Sequence, residues 1–242
     1  MYFLEGEYKM RLFLNGGGCG EQTIKTYQEI NKIIDHNKPV LYIPLAMDES
    51  DHPYDSCFGW IQDEISIIDI PNIEMVKTFE ELSEKDFNKY SMIYIGGGNT
   101  YKLLKGIKES KSYDKLIDFI NKDGIVYGGS AGSVIFGKNI NSIEIMDDNN
   151  VGLKDTTGFD LLNGKSIFVH YTNYSSKYTE EENKTLTENY TNFLIDYTTD
   201  NEVVIAYPEE NTIFINDDIF KMIGEKPYYI FDKGQKEKIE IE

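Results

Sequence analysis

Short apolar runs alternate along the chain with segments whose apolar residues recur at helical spacing. Within residues 21–36, Ile24, Tyr27, Ile30 and Ile34 lie three or four positions apart, as on one face of a helix. The pattern predicts strands at 10–18, 39–46, 73–78, 91–100, 124–130 and 165–172. It predicts helices at 21–36, 56–66, 101–110, 113–123 and near 179–197, a polar helix or loop at 79–90, and an irregular acidic segment at 144–158.

Strands that alternate with helices are typical of an α/β fold with one doubly wound, mostly parallel sheet flanked by helices. From residue 203 onward, short runs are split by Asn, Asp and Gly, which indicates antiparallel hairpin strands added to that sheet. The sequence has no low-complexity linker and no internal repeat, and 242 residues suit one large α/β domain. We therefore predict a single domain over residues 1–242.

Composition narrows the classes of partner. The formal net charge is -18, so phosphate backbones and anionic lipids are repelled, and we expect neither nucleic acid nor membrane as a partner. Arg11 is the only arginine of the sequence. Recognition of a carboxylate or phosphate by a bidentate arginine is therefore nearly excluded.

The spacing of the cysteines tests for a metal site, and the lengths of the apolar runs test for a secretion signal or a membrane span. Cys19 and Cys57 form no C-x-x-C pair, so the spacing of a zinc site is absent, and we predict neither metal nor cofactor. The first residues lack the basic segment, apolar run and cleavage site of a secretion signal, and no apolar stretch approaches the ~20 residues of a membrane span. We expect a cytoplasmic protein with free thiols.

Glycines and one serine occupy the predicted carboxyl ends of strands, where open α/β sheets bind their ligands. The segments are Gly16–Gly18, which fits a tight turn as well as a site, and 96–100, which favours a site. A dinucleotide fingerprint G-x-G-x-x-G is not met, because its last glycine position holds Glu21 in one run and Tyr101 in the other.

The stretch "GIVYGGSAGSVIFG", residues 124–137, contains the pattern Gly128-x-Ser130-x-Gly132. This is the nucleophile-elbow pattern, in which a serine sits at strained backbone angles between a strand and a helix, with its hydroxyl exposed. Side chains two positions before and after the serine would collide, which explains the two glycines. The other interpretation is a small-residue turn whose serine only caps the helix.

A serine hydroxyl needs a base to act as a nucleophile. The sequence has three histidines: His36 and His52 lie in polar surroundings that predict surface roles, whereas His170 closes the apolar run 167–169 at a predicted strand end. The base in turn needs an acid to orient it. The candidate carboxylates are Asp147, Asp148, Asp155, Glu209 and Glu210.

Four segments, "YIGGGNTYKLLK", "GGSAGSVIFGK", "GFDLLNGKSIFVHYTN" and "YPEENTIFI", together resemble the peptidase E family, which includes aspartyl dipeptidases and cyanophycinase. The resemblance implies a class I glutamine amidotransferase-like fold and a Ser-His-Glu triad, although an aspartate has also been proposed as the acid. The triad would be Ser130, His170 and Glu209. The oxyanion donors would be the N–H groups of Gly97 or Gly98 and of Ala131, with Asn99 also in the substrate-binding set.

The resemblance implies hydrolysis of small peptides, with Asp-X dipeptides as possible substrates. For the assembly we expect a monomer or a homodimer, a choice that the sequence leaves open. A substrate carboxylate would have to meet Lys138, Lys154 or backbone donors, since arginine is nearly absent. The charge of -18 would also repel acidic peptides. Two alternatives stay open: another serine amidase or acyl-transfer enzyme on the same fold, and an inactive small-molecule-binding protein.

Overall fold

The computed structural model describes residues 9–173, 178–200, 202–217 and 219–241. The strands are β1 (Lys9–Asn15), β2 (Val40–Ile43), β3 (Ile73–Met75), β4 (Met92–Ile95), β5 (Lys122–Gly129), β6 (Ser166–Phe168), β7 (Val204–Ala206), β8 (Thr212–Asn216), β9 (Ile219–Ile223), β10 (Tyr228–Asp232) and β11 (Gln235–Ile239). The α-helices are α1 (Ile24–Asn31), α2 (Tyr54–Glu64), α3 (Phe79–Glu84), α4 (Thr100–Glu109), α5 (Ser112–Asn121), α6 (Ala131–Val134) and α7 (Glu180–Asp200).

A seven-stranded sheet with the order β3-β2-β4-β5-β1-β8-β9 forms the centre of the fold. The five strands from β3 to β1 are parallel, and β8 and β9 add an antiparallel hairpin beside β1. The predicted fold class, α/β with a mostly parallel sheet flanked by helices, is confirmed. No helix in the described part of the chain has both the length and the apolarity to cross a membrane.

The expectation of one sheet is wrong in its details. Strands β6, β7, β10 and β11 form a separate four-stranded sheet, ordered β11-β10-β7-β6, in which β6 and β7 are parallel. The predicted strand 165–172 therefore does not join the central sheet. No free edge remains beside the elbow strand, since β5 pairs with β4 and β1, and β1 pairs with β5 and β8; β6 pairs instead with β7.

The polar stretch 79–90 forms α3 followed by a short 3-10 turn over Phe87–Lys89. Each begins at a side-chain cap: the Thr78 hydroxyl accepts from the Glu81 N–H, and the Asp86 carboxylate accepts from the Asn88 N–H. Capping side chains satisfy backbone N–H groups that a short helix leaves unpaired. The caps therefore explain why a polar segment folds as two short helical pieces.

An aromatic row lies under the carboxyl ends of the central strands. Tyr42, Tyr94 and Tyr127 occupy paired positions on β2, β4 and β5, and the rings of Tyr94 and Tyr127 stack at a centroid distance of 4.4 Å. All three are almost fully buried. Aromatic pairs across strands stabilise a sheet, so this row gives a rigid base to the segments that follow β4 and β5.

Candidate active site

Ser130 follows β5 directly and precedes α6, as the elbow pattern predicts. Its backbone angles are φ 51° and ψ −113°, a region that residues with a side chain seldom adopt. Added Cβ atoms at Gly128 and Gly132 would lie 2.3 Å from the Gly132 carbonyl oxygen and 2.2 Å from the Ile95 carbonyl oxygen. The prediction that both flanking positions require glycine is confirmed.

A continuous chain of hydrogen bonds starts at this serine. The Ser130 Oγ lies 2.8 Å from His170 Nε2, and His170 Nδ1 lies 2.8 Å from Glu209 Oε1. Because a carboxylate only accepts, the proton of a neutral imidazole belongs on Nδ1, which leaves Nε2 free to accept from the serine hydroxyl. About one third of the His170 and Glu209 side chains is exposed, so the group is open to solvent at one side.

His170 lies two residues beyond β6 and has a positive φ of 56°. Its N–H donates to the Gly16 carbonyl at 3.3 Å, and the next side chain, Tyr171, is fully buried against Tyr229 and Phe231 of the second sheet. The imidazole packs against Gly17, where an added Cβ would lie 2.3 Å from His170 Cε1. The two sheets therefore meet at this histidine. The glycine run that follows β1, Gly16–Gly18, forms the surface behind its ring.

Hydrogen bonds at both the N–H and the carbonyl of Glu209 fix its backbone. Its N–H donates to Asn173 Oδ1 at 2.8 Å, and its carbonyl accepts from the Gly18 N–H at 3.0 Å and from Asn15 Nδ2 at 3.1 Å. The sequence interpretation missed Asn15 and Asn173, and it left Gly16–Gly18 open between a tight turn and a site. The signal for Asn15 was the glycine run that follows it, since three successive glycines after a strand allow close approach of another backbone.

The other candidate carboxylates have partners away from the imidazole. Asp147 accepts from the Thr100 N–H at 2.7 Å, and Glu210 forms an ion pair with Lys226 at 2.9 Å. Asp155 pairs with Lys108 at 2.8 Å, and the resulting hydrogen bond lowers the pKa of that carboxyl. Asp148 has an exposed side chain, and its carbonyl accepts from Asn99 Nδ2 at 2.9 Å.

The backbone at Gly97 lies against the serine, because a Cβ added there would be 3.2 Å from Ser130 Cβ and 3.7 Å from Oγ. Gly98 has a φ of +133° and packs on the backbone of Ala46. Among the described residues, the N–H groups of Gly97, Gly98 and Ala131 donate no hydrogen bond. These three N–H groups therefore have no acceptor among the described residues, and their assignment as oxyanion donors stays a prediction.

Asn99 has structural contacts in this structure. Its Oδ1 accepts from the Lys102 N–H at 2.9 Å and caps α4, while its Nδ2 reaches the Asp148 carbonyl. The side chain thus ties the start of α4 to the acidic loop. Its assignment to substrate binding stays a prediction.

The remaining histidines and the cysteines lie outside this group. His36 and His52 are exposed, as predicted, and His36 Nδ1 contacts the Asp69 carbonyl at 2.6 Å. Both thiols are free. Burial, followed by the nearby Glu64 and Glu209 charges, raises the pKa of Cys19, which disfavours its thiolate. In the described ranges no three His, Cys, Asp or Glu side chains are grouped to hold a metal ion.

The single arginine and the two lysines named for a substrate carboxylate have their contacts elsewhere. Arg11 pairs with Asp123 at 2.7 Å, four residues before the carboxyl end of β1. The exposed Lys138 bonds through its N–H to the Lys165 carbonyl, just before β6 and so at the opposite end of that strand from His170. Lys154 lines a separate open cavity of about 720 Å³ together with Glu144 and Phe193. Of the groups that the sequence analysis named for such a carboxylate, the backbone N–H donors are the ones left.

Comparison with known proteins matches residues 12–223 to "Peptidase family S51". Among curated proteins, Peptidase E of Nostoc sp. is 24% identical over 242 residues, covering 95% of this chain and 91% of that protein. Peptidase E of Haemophilus influenzae strain PittGG is 24% identical over 207 residues, covering 82% and 80% of the two chains.

Two solved structures share the fold. One is a crystal structure described as a putative Peptidase E protein from Listeria monocytogenes EGD-e, with a TM-score of 0.70 and 21% identity over 90% of this chain and 100% of that one. The other is a peptidase from an acI-B1 Actinobacterium, with a TM-score of 0.68 and 14% identity over 97% and 96% of the two chains.

Proposed function

Because the chain belongs to peptidase family S51 and is a serine-type peptidase, we propose that it hydrolyses small peptides through Ser130, His170 and Glu209. In this proposal Ser130 is the nucleophile, His170 is the general base and acid, and Glu209 orients the imidazole. The observation that carries it is the unbroken line of two 2.8 Å hydrogen bonds from the serine hydroxyl to the carboxylate.

The first half of the reaction forms an acyl-enzyme. Ser130 Oγ attacks the peptide carbonyl carbon while its proton moves to His170 Nε2. The imidazolium that forms keeps its Nδ1–H directed at Glu209, whose negative charge stabilises it. The proton on Nε2 then passes to the leaving amine as the C–N bond breaks. A water molecule repeats the sequence on the ester and releases the carboxylic acid.

The free backbone N–H groups beside Ser130 supply the second requirement of this chemistry. A tetrahedral intermediate carries a negative oxygen, and fixed N–H donors stabilise it more than the neutral carbonyl. We assign this stabilisation to the N–H groups of Ala131 and of Gly97 or Gly98; the assignment is supported by their lack of an acceptor among the described residues and by the contact of the Gly97 backbone with Ser130. Removal of one such donor typically costs about 100- to 1,000-fold in kcat.

We propose a dipeptidase-like preference for short substrates, with Asp-X peptides among the candidates. Relatives named Peptidase E support a peptidase, and the preference for small peptides rests on the resemblance to that family. The placement of Arg11, Lys138 and Lys154 argues that an aspartyl side chain would be bound by backbone N–H groups rather than by a cation. Such recognition is weaker than that by a buried guanidinium, so we expect modest selectivity for Asp-X over neutral dipeptides.

The test combines a fluorophosphonate probe with a dipeptide panel. The probe should phosphonylate Ser130 with loss of fluoride, and peptide mapping should find no label on the neighbouring Ser133, whose hydroxyl is buried against the Asn15 and Gly128 carbonyls. Ser130→Ala should lose labelling and reduce kcat by several orders of magnitude, because triad members act as a unit.

Near-parental turnover by Ser130→Ala would refute the proposal. Labelling of Ser130 with no turnover of Asp-X, β-Asp or other dipeptides would instead favour a different acyl substrate on the same machinery.

A further inference from the structure

Asn15 is the last residue of β1 and is fully buried. Its position in the sheet is between the two segments that carry the serine and the glutamate. On one side it pairs with Gly129, the residue before Ser130, and on the other with Thr212, three residues after Glu209. The glycine run that backs His170 begins at the next residue. A single position therefore adjoins the segments that carry Ser130 and Glu209 and the glycine run that backs His170.

The backbone carbonyl of Asn15 holds the elbow. It accepts from the Ser130 N–H at 3.1 Å and from the Ser133 hydroxyl at 2.7 Å. These bonds fix both ends of the first turn after β5. The position of the strained serine is therefore fixed by β1 as well as by β5, the strand that it follows.

The side-chain amide of Asn15 holds the other two segments. Its Oδ1 accepts from the N–H of Gly17, the residue that packs on the His170 ring, at 2.8 Å. Its Nδ2 donates to the Glu209 carbonyl at 3.1 Å, and also to Asn211 O and Thr212 Oγ1 at 3.3 and 3.0 Å. Since the Gly17 N–H can only donate and the carbonyls can only accept, the orientation of the amide is unambiguous.

We propose that Asn15 is a positioning residue that sets the mutual placement of Ser130, His170 and Glu209. The inference rests on the proposed function, since it assigns Asn15 a part in the same reaction. Asn15 does not touch the reacting atoms; it acts through Gly17 on the imidazole and through the Glu209 backbone on the carboxylate. A buried side chain that offers both a donor and an acceptor is required, and a planar amide supplies both.

The chemistry of the site explains why other residues would fail. Aspartate keeps the acceptor for Gly17 but sets a carboxylate oxygen against the carbonyls of Glu209 and Asn211. Alanine leaves the Gly17 N–H without its acceptor and leaves the carbonyls of Glu209 and Asn211 with only their backbone donors, the N–H groups of Gly18 and Gly16. Either change should shift Glu209 and the glycine run by fractions of an ångström. Displacements near one ångström in a reacting group can cost about 100-fold in rate.

The experiment compares Asn15→Ala and Asn15→Asp with the parent chain and with Ser91→Ala. Ser91 is a buried control at the opposite, amino-terminal end of β4, where its hydroxyl donates to the carbonyls of Lys38 and Pro39. Thermal unfolding, dipeptide turnover and the rate of fluorophosphonate labelling at Ser130 are measured for each. We expect both Asn15 variants to fold, and to lose about 10- to 100-fold in kcat and in labelling rate with KM changed less than about threefold. Ser91→Ala should lose stability but keep parental kcat.

Four results would overturn the inference. These are parental kcat and labelling in a folded Asn15 variant, an effect on KM alone, an equal loss of kcat in Ser91→Ala, and failure of both Asn15 variants to fold, which would make Asn15 a folding residue. Absence of Ser130 labelling in the parent would refute the proposed function and this inference with it. Labelling of the parent together with unchanged labelling of both Asn15 variants would refute the inference alone.

Discussion

Glu209 and Glu210 are neighbours in sequence whose carboxylates have different partners. The Glu209 carboxylate is hydrogen-bonded to His170 Nδ1, whereas the Glu210 carboxylate forms an ion pair with Lys226. Glutamine keeps the size of each side chain and removes its charge. Comparison of Glu209→Gln with Glu210→Gln therefore distinguishes the loss of the charge next to the imidazole from the loss of any negative charge at this point in the chain.

We predict that Glu209→Gln lowers kcat by about 100- to 10,000-fold, because the amide can no longer stabilise the imidazolium and can present an N–H to Nδ1. Glu210→Gln should stay within about threefold of the parent, because its carboxylate faces the exposed Lys226 and not the imidazole. Steady-state kinetics on the best dipeptide measures both. Equal losses in the two variants would contradict the assignment of the acid to Glu209.

Gly17 offers a second test at the scale of one residue. Its φ is +105°, and a Cβ there would lie 2.3 Å from the imidazole. Gly17→Ala should therefore displace the ring and lower kcat by about 100-fold. Gly20 is the control, since it also has a positive φ of +60° but has open space around its Cβ position. Gly20→Ala should cost about 1 kcal/mol in stability through backbone strain and leave kcat near the parental value.

At the scale of the element, the strand–elbow–helix unit from β5 to α6 depends on close backbone contact with β4. The Gly132 Cα faces the Ile95 carbonyl at the end of β4, where no side chain fits. We predict that Gly132→Ala lowers the free energy of unfolding by about 1–3 kcal/mol or more, because rigid backbone atoms must move apart. Loss of Ser130 labelling should accompany it.

A helical glycine elsewhere provides the control for that prediction. Gly59 lies within α2 and has no heavy atom within 4 Å of its Cβ position. Gly59→Ala should raise the free energy of unfolding by about 0.5–1 kcal/mol, the usual gain from alanine in a helix interior. Urea unfolding of both variants measures the difference. Comparable effects of the same sign at Gly132 and Gly59 would show that the elbow tolerates a side chain.

At the scale of the whole molecule, buried tyrosines couple stability to alkaline pH. Burial raises the pKa of Tyr27, Tyr42 and Tyr94, and it raises the pKa of Tyr101 to about 12. The folded protein therefore keeps these protons after the unfolded chain has lost them. Their stabilising effect is complete below the unfolded pKa of ~10 and is lost as pH rises above it.

We predict that the urea midpoint falls steeply above pH ~10, and that tyrosinate absorbance appears together with unfolding. Tyr42→Phe should weaken this dependence and leave stability at neutral pH unchanged or higher, because its buried hydroxyl has no hydrogen-bond partner among the described residues. Tyr207→Phe is the contrast, since it removes the bond from the hydroxyl to the Leu14 carbonyl at 3.0 Å and should cost about 1 kcal/mol. A midpoint independent of pH up to 11 would contradict the role of these tyrosines.

Hydrophobic periodicity predicted most strands of the central sheet and most helices that flank it. A buried strand and an amphipathic helix each produce a local pattern of apolar residues in the sequence. The boundaries moved where caps and prolines act: α2 begins at Tyr54, directly after Pro53, rather than at residue 56. The elbow was also visible in sequence, since the need for glycine at 128 and 132 arises within a few residues of Ser130.

The sequence by itself determined the α/β class, the glycine-flanked serine and the family to which the chain is similar, because these depend on local pattern and motif. Only the tertiary structure decided that β6 leaves the central sheet and which carboxylate meets His170. It also gave Asn15 its contacts with Ser130, Gly17 and Glu209, up to 194 residues apart in the chain. The physical reason is that strand pairing and contacts between distant loops depend on which hydrogen-bonding edges are already occupied, and no short stretch of sequence records that competition.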